Sequence, residues 1–216
     1  MIALLVKGGL SYLLGSVVGS LLIGHLRGGV DIRSLGSGNA GATNALRTLG
    51  KKVGLAVFVI DLAKGWIATA VIAPWSVPSL APRTPELDAW SATVCALAVM
   101  LGHIYPAWYG LRGGKGMATL LGSVLGLNAW LIFPMILAWL ATVILSGFVG
   151  LGSMLATAAL AVSLAVSGAG VPLLTFGILA VLLIAYTHRS NIARMRAGTE
   201  SRARRLWLFG TRRGAP

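Results

Sequence analysis

The sequence predicts an all-α polytopic membrane protein with about seven transmembrane helices, its amino terminus outside and its carboxyl terminus in the cytoplasm. Hydrophobic residues make up 56% of the 216 residues and charged residues only 11%, whereas a soluble domain carries about a quarter charged residues. The mean hydropathy is +0.85. A crossing takes about 20 residues, so we expect one integral membrane domain over 1–216, with a basic cytoplasmic tail at 188–216.

Seven apolar stretches, bounded by Gly, Pro or charged residues, give the predicted spans. They are Ile2–Ile23, Val53–Trp75, Ala89–Tyr109, Met117–Leu127, Ala129–Gly150, Leu151–Ser167 and Val171–Thr187. The fourth is too short for a full crossing by itself, and only a bend at Gly147, Gly150 and Gly152 separates the fifth from the sixth. Either of these regions could be re-entrant. The first stretch has no charged leader and is interpreted as a retained span.

The distribution of basic residues predicts the orientation. All but three of the 18 Lys and Arg residues lie in 27–52, around 112–115, or from 189 onward; the exceptions are Lys7, Lys64 and Arg83. Seven spans place these three regions on one side, which the positive-inside rule assigns to the cytoplasm. The Pro-rich loop Pro74–Asp88 then lies outside. The net charge of +13 therefore indicates orientation and not nucleic-acid binding.

Two smaller features are expected to be structural. Cys95 is the only cysteine and sits in an apolar run, so it offers neither a disulfide nor a thiolate metal set. The arginines beyond Arg196, from Arg202 to Arg213, are predicted to form a solvated patch at the lipid headgroups.

The first polar loop reads Gly36-Ser37-Gly38-Asn39-Ala40-Gly41-Ala42-Thr43-Asn44 and is followed by Arg47. Glycines let backbone N–H groups turn toward an anion, the hydroxyl and amide side chains add donors, and arginine adds a bidentate charge. The loop also matches G-x-G-x-x-G, but no strand precedes it, so a dinucleotide site is not supported. We predict a phosphate site; a flexible cytoplasmic turn is the alternative.

The second polar loop runs from Gly102-His103 to Arg112-Gly113-Gly114-Lys115-Gly116 and leads into Met117-Ala118-Thr119. It fails the P-loop spacing, because Tyr109 occupies the first glycine position and Gly116 follows the lysine. The glycines, the lysine charge and the start of the next helix still favour an anion site. His103 is either a structural residue at the membrane interface or a functional one.

The third polar segment, His188 to Glu200, follows the last span. A helical run places His188 and Asn191 on one face at i, i+3, so both could contact one ligand. Within the second span, Asp61 and Lys64 have the same spacing. We interpret them as a structural pair that faces the bundle interior and supports the first loop.

Together the polar segments read GSGNAGATN followed by R, GHxxPxxxxxxGGKGxAT, and HRxNIxRxxxGTE. In order and spacing they resemble the signatures of the bacterial acyl-phosphate:glycerol-3-phosphate acyltransferase family, over nearly the whole chain. The resemblance implies a multi-pass enzyme of the bacterial plasma (inner) membrane with its active site facing the cytoplasm. It would transfer a fatty acyl group from acyl phosphate to the sn-1 hydroxyl of glycerol 3-phosphate, giving lysophosphatidic acid and phosphate, which starts phospholipid biosynthesis.

The resemblance also suggests site residues. The predicted catalytic residues are Ser37, Arg47, Lys115, His188 and Asn191. The predicted substrate- and phosphate-binding residues are Gly36, Gly38, Asn39, Gly41, Thr43, Asn44, His103, Gly113, Gly114, Gly116 and Thr119. His188 would either act as a general base or only hydrogen-bond a phosphate, and Asn191 or backbone N–H groups could stabilise the oxyanion. The chain departs from the family pattern at Ala40, where proline is common, and at Arg112, where lysine is usual.

An acyl phosphate is an activated mixed anhydride, so no protein nucleophile, metal or cofactor is expected. The expected partners are the two substrates and membrane lipid, with no nucleic acid; the sequence leaves the oligomeric state open and is compatible with a monomer. No histidine has an aspartate five positions later, so the His-x4-Asp motif of thioester-dependent glycerolipid acyltransferases is absent. Scattered aspartates argue against a CDP-alcohol phosphotransferase. A phosphate carrier with a midplane site and a structural or lipid-binding membrane protein remain as alternatives.

Overall fold

The computed structural model describes residues 1–76, 84–204 and 206–210. Regular structure in these ranges is helical and contains no strand, which confirms the predicted all-α class. The α-helices of this part of the chain are α1 (Ile2–Gly15), α2 (Gly19–Leu26), α3 (Ala42–Thr48), α4 (Lys51–Ile67), α5 (Pro85–Ile104), α6 (Met117–Leu127), α7 (Ile132–Ser146), α8 (Val149–Val166), α9 (Val171–Thr187) and α10 (Arg189–Arg196). Short 3-10 turns occupy Ile32–Ser34 and Ala129–Leu131, and a π-helical turn at Ala68–Ile72 extends α4.

Four helical segments of the described residues are long and apolar enough to cross a membrane alone, and there are up to six such spans if each bent pair counts as one. The bent pairs are α1 with α2, at 46°, and α9 with α10, at 53°. The 11-residue helix α6 is shorter than a full crossing. The apolar helices confirm a membrane protein, while seven spans and the orientation of the termini stay predictions.

Several predicted boundaries agree with the helices, and the others shift for local reasons. The fourth and seventh predicted spans coincide with α6 and α9. The third begins earlier than predicted because the Thr84 side chain caps α5, accepting a hydrogen bond from the Leu87 N–H at 3.3 Å. Between α7 and α8, Gly147 takes a left-handed φ of +78°, which ends α7 at Ser146. The middle of the predicted outside loop, residues 77–83, lies outside the described ranges.

The first predicted span, Ile2–Ile23, consists of the two helices α1 and α2, because the helix breaks between Gly15 and Gly19. Side chains from α4 satisfy the backbone groups that the break releases. The Lys64 ammonium donates to the Gly15 carbonyl at 2.9 Å and to the Val17 carbonyl at 2.8 Å. The Asp61 carboxylate accepts from the Gly19 N–H at 3.2 Å. The predicted Asp61–Lys64 pair forms, with a separation of 2.9 Å inside the bundle, and it braces this break.

Small residues bring the helices close together, as they do in other membrane bundles. A side chain on Gly15 of α1 would meet the backbone of Val99 in α5, with only 2.9 Å to its carbonyl carbon and 3.0 Å to its Cα. Gly122 of α6 likewise lies against the backbone of Leu62 in α4. At the exposed Gly9, by contrast, an added Cβ would have no neighbouring atom within 4 Å.

The chain after α10 folds back onto the turn between α7 and α8. The Ala203 N–H donates to the Gly147 carbonyl at 2.8 Å, and the Leu208 N–H donates to the Ile144 carbonyl at 2.8 Å. The Arg202 guanidinium stacks on the rings of Phe148, at 4.6 Å, and Trp207, at 4.1 Å. Arg202 is nevertheless exposed, in agreement with the predicted solvated patch, and cation–π stacking also holds its side chain. Arg205 and Arg213 lie outside the described residues.

Candidate active site

The three polar segments meet around one cavity of about 860 Å³. Polar side chains and backbone from all three segments line one part of it. The rest is lined by apolar side chains from the helices: Phe58, Met117, Leu121, Met135, Ile136, Trp139, Leu140 and Ala156. The cavity therefore joins a polar head region to an apolar arm formed by side chains of the helices.

Asn44 gives the first loop its shape. Its buried side-chain amide donates to the Leu35 carbonyl at 2.9 Å and to the Ile32 carbonyl at 3.2 Å, and its oxygen accepts from the Ser37 N–H at 3.0 Å. Gly36 has a left-handed φ of +56° in this turn, which glycine adopts without strain. Because both ends of the amide are engaged within the loop, Asn44 holds the loop around the cavity.

Arg47 lies in the last turn of α3, at the mouth of the cavity. Its exposed guanidinium donates through Nη1 to the Ser201 hydroxyl at 3.0 Å. A guanidinium matches the geometry of phosphate oxygens and retains its charge at all relevant pH values. Arg47 is thus placed to bind an anionic group that enters from the polar side.

Lys115 lies in the second loop, directly before the start of α6. Its ammonium donates to Asn191 Oδ1, and its backbone carbonyl accepts from the Thr187 hydroxyl at 3.1 Å. Burial lowers the pKa of Lys115 to about 8, and the neighbouring Arg194 contributes to the lowering by charge repulsion. The second and third segments therefore meet at this lysine.

Gly113 and Gly114 act through close packing. Their N–H groups donate to the carbonyls of Ile104 and His103, at 3.0 and 3.1 Å. A side chain on Gly114 would overlap the His103 ring, and one on Gly113 would overlap the His103 carbonyl. These glycines let the second loop turn tightly against the end of α5 and so place Lys115 at the cavity.

Arg33, which lies outside the three sequence motifs, joins the first two loops. Its guanidinium donates from Nη1 to the carbonyls of Tyr109 and Arg112, both at 2.8 Å. Its other edge pairs with Asp31 at 2.8 Å, and this contact holds the pKa of the Asp31 carboxyl below its ordinary value. Arg112, the residue that departs from the family pattern, is absent from the cavity lining and contributes its backbone here.

His188 lies at the bend between α9 and α10 and lines the cavity. Its Nδ1 is 2.8 Å from the Ile184 carbonyl. A carbonyl can only accept, so Nδ1 carries the proton and Nε2 has the free lone pair. Burial and the nearby Lys115 charge lower the pKa of His188 to about 4, so the ring is neutral at physiological pH. The continuous helical run predicted here is bent, yet His188 and Asn191 both line the cavity.

Glu200 is a site residue that the sequence did not predict, although it is the last residue of the third polar segment. The buried carboxylate accepts from Asn191 Nδ2 at 2.6 Å and from Arg194 Nε at 2.6 Å. Asn191 thereby presents its oxygen to Lys115. The available signal was charge, since Glu200 is the single acidic residue after Asp88, within a basic segment.

His103 is buried at the end of α5 and lines the cavity. Its Nδ1 lies 2.8 Å from the Lys64 ammonium and 3.4 Å from the Asp61 carboxylate. His103 is therefore connected to the pair that braces the break between α1 and α2, and its ring also lies against Gly114 of the second loop.

The structure brings together most of the predicted site residues. The predicted residues in the cavity lining are Gly36, Ser37, Asn39, Gly41, Thr43, Asn44, Arg47, His103, Lys115, Gly116, His188 and Asn191. Gly38, Gly113, Gly114 and Thr119 are outside that lining. Among residues 1–76, 84–204 and 206–210, no group of three or more His, Cys, Asp or Glu side chains could hold a metal ion.

Comparison with known proteins identifies relatives of the whole fold. Residues 5–198 match the family described as "Glycerol-3-phosphate acyltransferase". A glycerol-3-phosphate acyltransferase of Aquifex aeolicus (strain VF5) is 40% identical over 192 residues, which cover 89% of this chain and 95% of the relative. One from Synechococcus sp. (strain CC9902) is 40% identical over 194 residues, covering 89% and 92%.

Two solved structures are also similar along most of their length. The crystal structure of PlsY (YgiH), an integral membrane glycerol 3-phosphate acyltransferase, in its glycerol 3-phosphate form, superposes with a TM-score of 0.82 at 40% identity. The lysophosphatidic acid form of the same protein superposes with a TM-score of 0.79 at 39% identity. Each covers 92% of this chain and 94% of the other.

Proposed function

The chain belongs to the glycerol-3-phosphate acyltransferase family, and we propose that it transfers the acyl group from a fatty acyl phosphate to the sn-1 hydroxyl of glycerol 3-phosphate. The observation that supports this most strongly is the cavity itself, because one continuous space has a cationic, donor-rich head and an apolar arm. A fatty acyl phosphate has the same division into an anionic head and an apolar chain. Family membership also favours an enzyme over the carrier that the sequence allowed.

In the proposed reaction, Arg47 and Lys115 hold the two phosphate groups and place the glycerol hydroxyl beside the acyl carbonyl carbon. Such positioning is effective because it converts a bimolecular encounter into an oriented one. The hydroxyl oxygen attacks the carbonyl carbon, and the bond from that carbon to the phosphate oxygen breaks. The leaving phosphate takes the electron pair, while the two cations stabilise its developing charge. Ser37 adds a hydroxyl donor at the mouth.

The hydroxyl proton needs an acceptor. Nε2 of His188 has the free lone pair and lines the cavity, and in the proposed complex it accepts a hydrogen bond from the glycerol hydroxyl. A pKa of about 4 makes this ring a weaker base than a phosphate group, whose second pKa is about 6. We therefore assign His188 to orienting the hydroxyl, and the proton ends on the leaving phosphate. Asn191 positions Lys115 through its amide oxygen.

We place the protein in the bacterial plasma (inner) membrane with this cavity facing the cytoplasm. Support comes from the basic segments, which gather around the same end of the bundle as the cavity, as the positive-inside rule expects. The turn between α7 and α8 lies at that end too, because Gly150 lines the cavity and Gly147 contacts the returning tail. Seven crossings, with the amino terminus outside, would bring all of these segments to the cytoplasmic side.

A donor comparison tests the proposal. Purified protein in detergent would be given glycerol 3-phosphate with palmitoyl phosphate, palmitoyl-CoA or palmitoyl acyl carrier protein, and the product followed by mass spectrometry with positional analysis. We expect 1-acyl lysophosphatidic acid from palmitoyl phosphate alone. Efficient use of a thioester with no product from palmitoyl phosphate would refute the assigned donor, and a 2-acyl product would refute the assigned hydroxyl.

A further inference from the structure

Residues 199–203 form a strap at the mouth of the cavity, and the first three of them line it. Ser201 joins the strap to α3, because its hydroxyl accepts a hydrogen bond from Arg47 Nη1 at 3.0 Å. Ala203 joins it to the turn between α7 and α8, because its N–H donates to the Gly147 carbonyl at 2.8 Å. The strap therefore connects two elements that border the mouth.

The guanidinium of Arg47 has donors left for a second ligand besides Ser201. It carries five N–H donors, and in the part of the chain that the structure describes its side chain makes one hydrogen bond, from Nη1. The edge formed by Nε and Nη2 is thus free, and this edge matches two oxygens of a phosphate. The same guanidinium can therefore bind Ser201 and a phosphate group at once.

The hydroxyl of Ser201 is the acceptor in this contact, so its own hydrogen is left to donate. Within the described ranges no protein group accepts that hydrogen. The side chain is exposed, so water or an oxygen of a ligand accepts it instead. An oxygen of a phosphate held by Arg47 would lie beside this hydroxyl. Arg47 and Ser201 together thus offer one phosphate both a charge and a neutral donor.

Both chain neighbours of Ser201 are held in place. On one side, two charge-assisted hydrogen bonds of 2.6 Å fix the Glu200 carboxylate, and one of them balances its charge with an arginine. On the other side, the Arg202 guanidinium stacks on two aromatic rings, 4.6 and 4.1 Å from their centroids. An added Cβ on Gly147 would lie 3.0 Å from Arg202 Cβ, so glycine permits this close approach. A donor that is already ordered loses less conformational entropy when a ligand binds.

The strap lies beyond residues 5–198, the part of the chain that matches the family, so the family match does not account for its contacts. We propose that Ser201 is a further substrate-binding residue, which donates its hydroxyl hydrogen to the phosphate group bound by Arg47. The strap holds Ser201 in position for this contact. The proposal rests on the proposed function for the identity of the ligand. Glycerol 3-phosphate and acyl phosphate share the phosphate group, so the experiment distinguishes them.

Three variants test the contact. Ser201→Ala removes the hydroxyl, Ser201→Thr keeps it, and Ser190→Ala is the matched control, because Ser190 is an exposed serine of α10 that does not line the cavity. S201A should raise the KM of one phosphate substrate about 3- to 10-fold with little change in kcat, and S201T should restore it. The substrate whose KM rises is the one bound at Arg47. Unchanged or lower KM values in S201A, or an equal loss in S201T, would overturn the proposal.

Equilibrium binding keeps the test independent of the acyl donor. Glycerol 3-phosphate, inorganic phosphate and palmitoyl phosphate would each be titrated alone into wild type, S201A and S201T in detergent, with thermal unfolding as the folding control. We expect S201A to bind at least one of them about 3- to 10-fold more weakly at an unchanged unfolding temperature. That result would support the inference even if the acyl donor of the reaction is a thioester. Equal affinities of wild type and S201A for all three compounds would refute it even if acyl transfer from acyl phosphate is confirmed.

Discussion

Replacing Lys115 with alanine should remove most of the catalytic efficiency without unfolding the protein. The Lys115 ammonium lines the cavity and contacts Asn191, so in the proposed complex it makes a charge-assisted hydrogen bond to a phosphate. Such a bond contributes about 1.5–3 kcal/mol, which corresponds to roughly a 10- to 150-fold loss in kcat/KM. The side chain is only half-buried, so water can fill the space that its removal leaves, and the folding free energy changes little.

The assay is the initial rate of lysophosphatidic acid formation as glycerol 3-phosphate is varied, with thermal unfolding in the same detergent as the folding control. Arg196→Ala is the matched control, because Arg196 is an exposed cation of the adjoining helix that does not line the cavity. Lys115→Arg keeps the charge but presents a planar fork, and should fall between wild type and K115A. A K115A protein with intact folding and near-normal kcat/KM would refute the site assignment.

The remaining predictions concern pH, packing and the tail. Because the pKa of Lys115 is lowered to about 8, its ammonium loses the proton above that pH, and kcat/KM for glycerol 3-phosphate should decline there. K115R should move this decline to higher pH. The same pH dependence of kcat/KM in K115R and wild type would contradict the assignment. Gly15→Ala should destabilise the protein by about 1–3 kcal/mol through overpacking, whereas Gly9→Ala should not lower the unfolding temperature. Equal unfolding temperatures for the two variants would refute the packing account. Arg202→Ala removes two cation–π contacts worth about 0.5–1 kcal/mol each, so hydrogen exchange at Ala203 should accelerate roughly 5- to 30-fold, and unchanged protection would show that the stacking does not hold the tail.

The sequence predicts the elements of the fold that depend on local signals. Helices α6 and α9 begin directly after Gly116 and Gly170, and they end where the polar residues Asn128 and His188 follow. The break after Gly15 was not predicted, because no proline interrupts the stretch from Ile2 to Ile23 and Lys7 is its only charged residue. Its cause is tertiary, since Asp61 and Lys64 from another helix satisfy the released backbone groups.

The candidate site likewise combines features that local sequence signals predict with features that depend on tertiary contacts. The glycine-rich loops and their cations could be selected from composition and order, and the structure brings Arg47, Lys115 and His188 to one cavity. The contacts of Glu200 and Ser201 could not be predicted, because they depend on the chain folding back after α10. The apolar arm was also beyond the sequence, since its residues come from four helices whose relative rotation no local pattern specifies.

The most direct test of the central claim is the stoichiometry of the reaction. Purified protein would be mixed with palmitoyl phosphate, with and without glycerol 3-phosphate, while released phosphate and lysophosphatidic acid are measured in the same samples. The account predicts one phosphate per lysophosphatidic acid, dependent on both substrates and unaffected by omitting CoA or adding a metal chelator. Intact, folded protein that binds the phosphate compounds without forming lysophosphatidic acid would contradict it, and would direct the same preparation to a phosphate uptake assay.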